Sequence, residues 1–261
     1  MSVDENINDS CRNIITMIPK IIHYCWFSND EKPDLVKCCI ESWHRYLPDY
    51  EIKCWDGNSF DFNSVNYVRE AMEVKAYAHA SDYVRLYALH SEGGIYLDSD
   101  VEVFRSFDEL LLNRFFSGVE QFPIHYSRHK IKEICNHIQA AIIGSEPGHP
   151  FLTDCLEMYS TLHFRKEDGS LDYSEIPERI TTIIEKYGFE RENKTQKLKD
   201  GITIYPNTII ASNTDKIVPD GCYAFHWGVK SWGNDRRGRF YNFCWNHDLM
   251  NFYHTIERIL K

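Results

Sequence analysis

Asp98 and Asp100 stand two residues apart at the end of the apolar run Ile95-Tyr-Leu, and this spacing is where chemistry would begin. Successive side chains of a strand point to opposite faces, so positions i and i+2 aim the same way. Two converging carboxylates make a hard oxygen site for Mn²⁺ or Mg²⁺, ions that complete their shells with water and the phosphates of a ligand. Taken alone, an Asp-x-Asp pair is more often a solvated turn. Upstream, Asp82 and Arg85 lie three apart in a helical pattern and therefore share a face. They form either a surface ion pair or a carboxylate and a guanidinium that read hydroxyl groups as acceptor and donor. A helix, the Gly93-Gly94 turn and a strand would together carry Asp82, Arg85, Tyr96, Asp98 and Asp100 toward one region.

The elements that must do this carrying can be read from periodicity. Residues 18–27 are short, apolar and β-rich, and polar residues 28–33 stop them, as expected of a buried first strand. Helical spacing over 34–47 and a strand over 50–55 complete a β–α–β opening, which predicts a parallel sheet with helices packed on it. Helices follow over 65–73 and 76–91, the second with Ala76, Ala80, Tyr83, Val84 and Tyr87 on one apolar face. Strands are expected at 95–98, 101–104, 114–120, 138–144, 202–205 and 223–227. Helices are expected at 150–160, opened by Pro150, and at 176–187 and 245–260, with a polar loop over 165–175. The fold class is α/β with a mostly parallel central sheet. Ligands of open α/β sheets bind at the carboxyl ends of the strands, which is where Asp98 falls.

Composition narrows the function. The 261 residues carry a formal net charge of −10 and suit one domain with an ordinary apolar fraction. A nucleic-acid binder needs a clustered basic footprint, so that class is excluded. An acidic chain that handles phosphates must import positive charge locally, and a divalent cation supplies it. The nine cysteines show no C-x-x-C spacing, which argues against a zinc site or a disulfide framework. Residues 1–17 form a polar leader without the apolar core of a signal peptide, and no run is long enough to span a membrane. A cytoplasmic location is expected.

The string Ala80-Ser-Asp-x-x-Arg85, followed by Gly93-Gly-x-Tyr-x-Asp-x-Asp100, resembles the sugar-binding region of glycosyltransferase family 32. That group includes capsular and lipopolysaccharide transferases, and it is similar to the glucosyltransferase domain of the large clostridial toxins. Ile18-Pro-Lys-Ile-Ile-His-Tyr-Cys-Trp26 resembles the first strand of the same family. The resemblance covers residues 18–104 and a stretch near 226–232. It implies a GT-A fold with a nucleotide-sugar-binding half over 18–120, and an acceptor side with a closing loop and helix over 121–261. It also implies a nucleotide-diphosphate sugar, a divalent metal and retention of anomeric configuration. Position by position, Trp26 resembles the ring that stacks on the nucleobase, and Tyr96 a ring that contacts the nucleotide. Ser81, Asp82 and Arg85 resemble the residues that hold the donor sugar, with Arg85 close to the diphosphate. Asp98 would meet ribose and metal-bound water, and Asp100 the metal itself.

The late segment Phe225-His-Trp-Gly-Val-Lys-Ser-Trp232 resembles the C-terminal loop with which related retaining transferases close the donor site. His226 is then either a third metal ligand or a hydrogen-bonded core residue. Lys230 would reach the phosphates, although its spacing from His226 is shorter than in the related loop. Ser231 and Trp232 resemble the toxin loop. The resemblance to toxins that use UDP-sugars implies a UDP-hexose donor, galactose or glucose first, with a saccharide or lipid-linked oligosaccharide as acceptor in surface polysaccharide synthesis. Basic and aromatic residues over 236–260 either pack as a C-terminal helix or rest peripherally on the inner face of an anionic membrane. Two other readings compete. A metal-dependent phosphohydrolase would need a nucleophilic aspartate where Trp26-Phe27 stand, and a carbohydrate-binding protein would have lost turnover on the same fold.

Overall fold

A seven-stranded sheet organises the protein in a computed structural model, in the order β2 (Glu51–Trp55), β1 (Ile21–Cys25), β3 (Gly94–Leu97), β8 (Ile134–Ser145), β5 (Phe115–Pro123), β10 (Ile202–Tyr205) and β9 (Gln196–Lys197). The structure describes residues 17–123, 126–127, 130–131, 134–212 and 217–229. All elements named below belong to one compact unit that ends at Gly228.

The chain enters through β1 (Ile21–Cys25), whose β-branched and aromatic side chains are buried on both faces. Helix α1 (Asp34–Tyr46) buries Val36, Cys39, Ser42 and Trp43, one face of a 3.6-residue period, and β2 (Glu51–Trp55) returns parallel to β1. Helices α2 (Asn66–Glu73) and α3 (Tyr77–Glu92) follow. The expected face of α3 is buried at Ala80 and Val84 and half-buried at Ala76 and Tyr83, but Tyr87 is 38% exposed, and Ser81, Asp82 and Arg85 are buried as well. Strands β1, β3 and β8 and helices α2 and α4 (Pro150–Ser160) surround α3, so most of its circumference is covered.

At the end of α3 the turn admits only glycine. Gly93 and Gly94 have φ of +67° and +105°, and a Cβ on Gly94 would lie 2.7 Å from the Ile21 carbonyl oxygen of β1. Strand β3 (Gly94–Leu97) then runs parallel to β1 and is wholly buried. After the turn at Asp98–Asp100 the chain leaves the main sheet. The short β4 (Val101–Val103) belongs to a second, three-stranded sheet. Helix α1 pins β4 there: Trp43 Nε1 donates to the Val101 carbonyl at 2.8 Å, and the Val103 amide donates to Ser42 Oγ at 2.9 Å.

Strands β5 (Phe115–Pro123) and β8 (Ile134–Ser145) pair antiparallel along a long arm. Between them lie β6 (Tyr126–Ser127) and β7 (Lys130–Ile131), which pair with each other. Helices α4 (Pro150–Ser160) and α5 (Ile176–Ile184) cover the sheet. After them come β9 (Gln196–Lys197), β10 (Ile202–Tyr205), β11 (Ile210–Ser212) and β12 (Ala224–His226). In the main sheet β1, β2, β3, β5 and β10 run one way, and β8 and β9 run against them. The sheet is thus mostly parallel in direction but mixed in pairing. Strand β8 follows β5 along an arm rather than through a crossover helix, and a return without a crossover pairs antiparallel. The expected helix over 245–260 lies outside the described residues. In one core cluster Phe115, Phe151, Tyr159, Phe164, Ile180 and Ile184 join the sheet to α3, α4 and α5, and a smaller cluster is built on Ala211, Cys222 and Phe225.

Candidate active site

Strand β3 ends at Leu97, and the Asp98 amide donates to the Ala141 carbonyl at 2.8 Å, so Asp98 is the first side chain beyond the sheet edge. A turn closed by the Val101 amide on the Asp98 carbonyl, at 3.0 Å, brings Asp100 back beside it. The third member arrives from far along the chain. Strand β12 pairs antiparallel with β4, with His226 opposite Val101, and the Trp227 amide donates to the Asp100 carbonyl at 3.1 Å. His226 Nε2 lies 3.4 Å from Asp100 Oδ1 and 3.8 Å from Asp98 Oδ2. One ligand atom from each of Asp98, Asp100 and His226 can be chosen so that all lie within 4.8 Å of one another. Two hard carboxylate oxygens and one imidazole nitrogen suit Mn²⁺ or Mg²⁺, and three protein ligands leave coordination positions for phosphate oxygens. The residues fit a divalent cation.

Arg85 anchors the other half of the site. Its side chain is 5% exposed, with Nη2 at 3.0 Å from Asp82 Oδ1 and 3.4 Å from Asp98 Oδ1. Nη1 donates to the Ala140 carbonyl at 2.8 Å, Nη2 to Ser81 Oγ at 3.0 Å and Nε to the Ser81 carbonyl at 3.2 Å. The guanidinium also lies 4.7 Å from the centroid of the Tyr96 ring, whose hydroxyl donates to Asp98 Oδ1 at 2.9 Å. In this fork Arg85 and Tyr96 fix the direction of Asp98, and Arg85 fixes that of Asp82. The Tyr96 ring is 1% exposed and packs beneath the guanidinium.

Charge and burial compete throughout. Burial opposes the Arg85 charge, but Asp98, Tyr96 and Asp82 outweigh it and hold the guanidinium protonated. Burial pushes the Asp82 carboxyl up to about 7, against the pull of Arg85. Burial alone would lower His226, yet Asp100, Asp98 and Glu120 raise it to about 9.

Of the residues expected from sequence, Ser81, Asp82, Arg85, Tyr96, Asp98, Asp100 and His226 come together. Trp26 directly follows the neighbouring strand β1 at the same sheet edge; it is 8% exposed, with Lys32 Nζ 5.1 Å from its ring centroid. Lys230, Ser231 and Trp232 lie outside the described residues, as does the stretch 236–260. Two further side chains face this region. His79 Nδ1 lies 3.7 Å from Asp82 Oδ2, one helical turn before it. Glu120, half-buried on β5, accepts from Ser212 Oγ at 3.0 Å. Burial raises its carboxyl, while His226 and the Ser212 hydroxyl pull it down. No local pattern in the sequence singles out Glu120 or Ser212, because only strand pairing brings them to the site. No helix among the described residues is long and apolar enough to cross a membrane.

The profile of the family described as capsular polysaccharide synthesis protein matches residues 4–206. An uncharacterised glycosyltransferase of Acanthamoeba polyphaga mimivirus is 24% identical over 223 residues, covering 83% of this chain and 84% of that protein. Inositol phosphoceramide mannosyltransferase 3 of Schizosaccharomyces pombe is 32% identical over 160 residues, which are 58% of this chain and only 40% of that protein's length. Among solved structures, the PaToxG glycosyltransferase superposes with a TM-score of 0.46 at 14% identity, over 65% of this chain and 70% of that one.

Proposed function

The chain belongs to the capsular polysaccharide synthesis protein family and is a glycosyltransferase, and on that premise we propose that it moves a hexose from a nucleotide-diphosphate donor with a divalent cation held by Asp98, Asp100 and His226. The observation that carries this reading is the convergence of those three side chains beside the buried Arg85–Asp82 pair. When bound, Mn²⁺ or Mg²⁺ supplies Lewis-acid stabilisation of the negative charge on the departing diphosphate. The protein's part is positioning. Asp82 offers carboxyl oxygens to the sugar hydroxyls, and Arg85 holds Asp82 and Asp98 in one direction. Tyr96 supports Asp98 through its hydroxyl, and in this reading Trp26, the residue after the adjoining strand, stacks on the nucleobase. We assign Lys230, Ser231 and Trp232 to the phosphates on the strength of their resemblance to the loop of related transferases. Anomeric configuration is retained.

The donor is a UDP-hexose, galactose or glucose, on the strength of the first-strand and Asp-x-Asp resemblance. The relative from fission yeast is named a mannosyltransferase, so a mannose donor belongs in the same panel. The acceptor is a saccharide or lipid-linked saccharide of a surface polysaccharide. Incubation with UDP-galactose, UDP-glucose and a mannose donor, with Mn²⁺ or with EDTA, reads release of the nucleoside diphosphate. We expect cation-dependent release from one donor, lost in the Asp98→Asn/Asp100→Asn variant. Equal release by that variant would refute the assignment, and donor binding without any release would mark a binding protein instead.

A further inference from the structure

Along α3 three side chains follow one another at intervals of three residues. Arg85 reaches Asp98, Asp82 lies beside Arg85, and His79 comes next, with Nδ1 3.7 Å from Asp82 Oδ2. Three helical residues advance about 4.5 Å along the axis, so His79 stands one step beyond Asp82, further from Arg85. Its Nδ1 is buried and has no hydrogen-bond partner. Two rings meet His79 there, Phe164 at 5.1 Å and Tyr173 at 5.5 Å between centroids. Tyr173 is 62% exposed, and the rings of His79 and Phe164 meet it at 61° and 88°, so neither lies flat on it. A solitary exposed aromatic is ordinary on a protein surface. Tyr173 differs in being held from both sides. Before it, Glu70 of α2 accepts from His163 Nδ1 at 2.8 Å and from the Arg165 amide at 3.0 Å, and Arg165 pairs with Leu171 in an antiparallel bridge. The Asp172 carboxylate pairs with Arg179 of α5 and accepts from the Ser174 amide at 3.2 Å and its hydroxyl at 2.7 Å. Burial acts first on the carboxyls of Asp82 and Glu120, and the charge of exposed Glu175 reaches both, in keeping with a segment that borders the site.

We propose that Tyr173 is the platform of an acceptor subsite and stacks on the sugar ring of the saccharide that receives the hexose. One face of a pyranose is lined with C–H groups, and a tyrosine ring offers it a flat apolar surface with little freedom to lose. In the transfer the acceptor oxygen bonds to the anomeric carbon, the bond to the diphosphate breaks, and the acceptor's proton goes to the diphosphate. The acceptor ring therefore belongs one sugar width beyond a donor sugar held at Asp82, which is where His79 and Tyr173 stand. Anchors at Glu70 and Asp172 set the platform before the acceptor arrives, which reduces the ordering cost of binding. The inference rests on the hexosyltransferase reading with the donor sugar at Asp82, and the experiment separates the two. The full chain with Mn²⁺ is given the donor that supports nucleoside-diphosphate release. Release is followed with water as the acceptor, and with methyl β-D-galactoside, methyl β-D-glucoside or methyl α-D-mannoside titrated into the millimolar range. Wild type, Tyr173→Ala and Tyr173→Phe are compared, each with its melting temperature.

The expected result is stimulation of wild-type release by at least one glycoside, and a glycoside KM raised about 5–30-fold in Tyr173→Ala. The donor KM and the release to water should stay at wild-type values, and Tyr173→Phe, which keeps the ring, should keep the wild-type glycoside KM. The melting temperature should not fall, because the ring is exposed. An equal glycoside KM in Tyr173→Ala and wild type overturns the inference. Wild-type release to water that none of the three glycosides stimulates also overturns it, since a stacking platform takes the apolar face of any of these rings. A matching fall in release to water and to glycoside in Tyr173→Ala overturns it too, because the ring would then serve the donor or the fold. These three outcomes leave the donor reading intact. Wild type that releases nucleoside diphosphate from no donor overturns the donor reading and this inference with it.

Discussion

Replacing Arg85 with methionine tests the electrostatic account of the site at its deepest point. The wild-type guanidinium is 5% exposed and lies 3.0 Å from Asp82 and 3.4 Å from Asp98. Methionine fills much of the same volume, but it leaves Asp82, itself 6% exposed, without its cation, and it removes the donor to the Ala140 carbonyl. Deleting one partner of a buried pair costs about 3–5 kcal/mol, and at roughly 2–4 °C per kcal/mol the melting temperature should fall by roughly 6–20 °C. The pH dependence follows from Asp82. Burial already holds its folded pKa near about 7, above the ordinary 3.8, and loss of Arg85 moves it further up. A carboxyl raised in this way supports the fold while protonated and loses that support as pH rises between its unfolded and folded values. The deficit should therefore be large at about pH 8 and smaller at about pH 5, measured by thermal denaturation in EDTA. Adding Asp82→Asn to Arg85→Met should recover most of the loss, since no buried charge at position 82 is then left unpaired. A single variant melting within about 2 °C of wild type, or a double variant no better than the single, would refute the reasoning.

Three further outcomes follow from the same geometry. In the metal-free chain His226 has a folded pKa of about 9 against an ordinary 6.5, so its contribution is complete below about 6.5 and vanishes as pH rises through about 9. Denaturation midpoints in EDTA should fall across that window, and His226→Gln should flatten the curve; a wild-type curve already flat there would contradict the ion cluster. Mn²⁺ binding near neutral pH should likewise release a proton from His226, seen as a buffer-dependent calorimetric enthalpy. Gly94→Ala combines a φ of +105° with a Cβ 2.7 Å from the Ile21 carbonyl oxygen. The backbone strain alone costs about 1–3 kcal/mol, and relief can come only by shifting β3 and Asp98 against β1. An unchanged denaturant midpoint together with undiminished donor turnover would show that the turn is not what sets Asp98.

What the sequence determined by itself is whatever repeats over a few residues. The alternation at Glu51–Trp55, the helical spacing of Val36, Cys39 and Trp43, and the Gly93-Gly94 turn gave the β–α–β opening and the strand that carries Asp98. The shared face of Asp82 and Arg85 is a local consequence of the helical period, whereas Asp98 and Asp100 lie beyond the end of β3 and meet through a turn rather than through strand alternation. Three features needed the tertiary structure. Periodicity placed the apolar face of α3 on Tyr83 and Tyr87, but the neighbours that enclose the helix bury Ser81, Asp82 and Arg85 as well. His226 was legible only as a histidine among aromatics until β12 paired with β4 and set it opposite Val101. Glu120 and Ser212 meet through β5 and β11, strands that lie in different sheets. Pairing between distant strands leaves no period in the chain, because the hydrogen bonds that select it join backbones whatever side chains they carry. Which distant side chain joins Asp98 and Asp100 is therefore decided by the folded sheet.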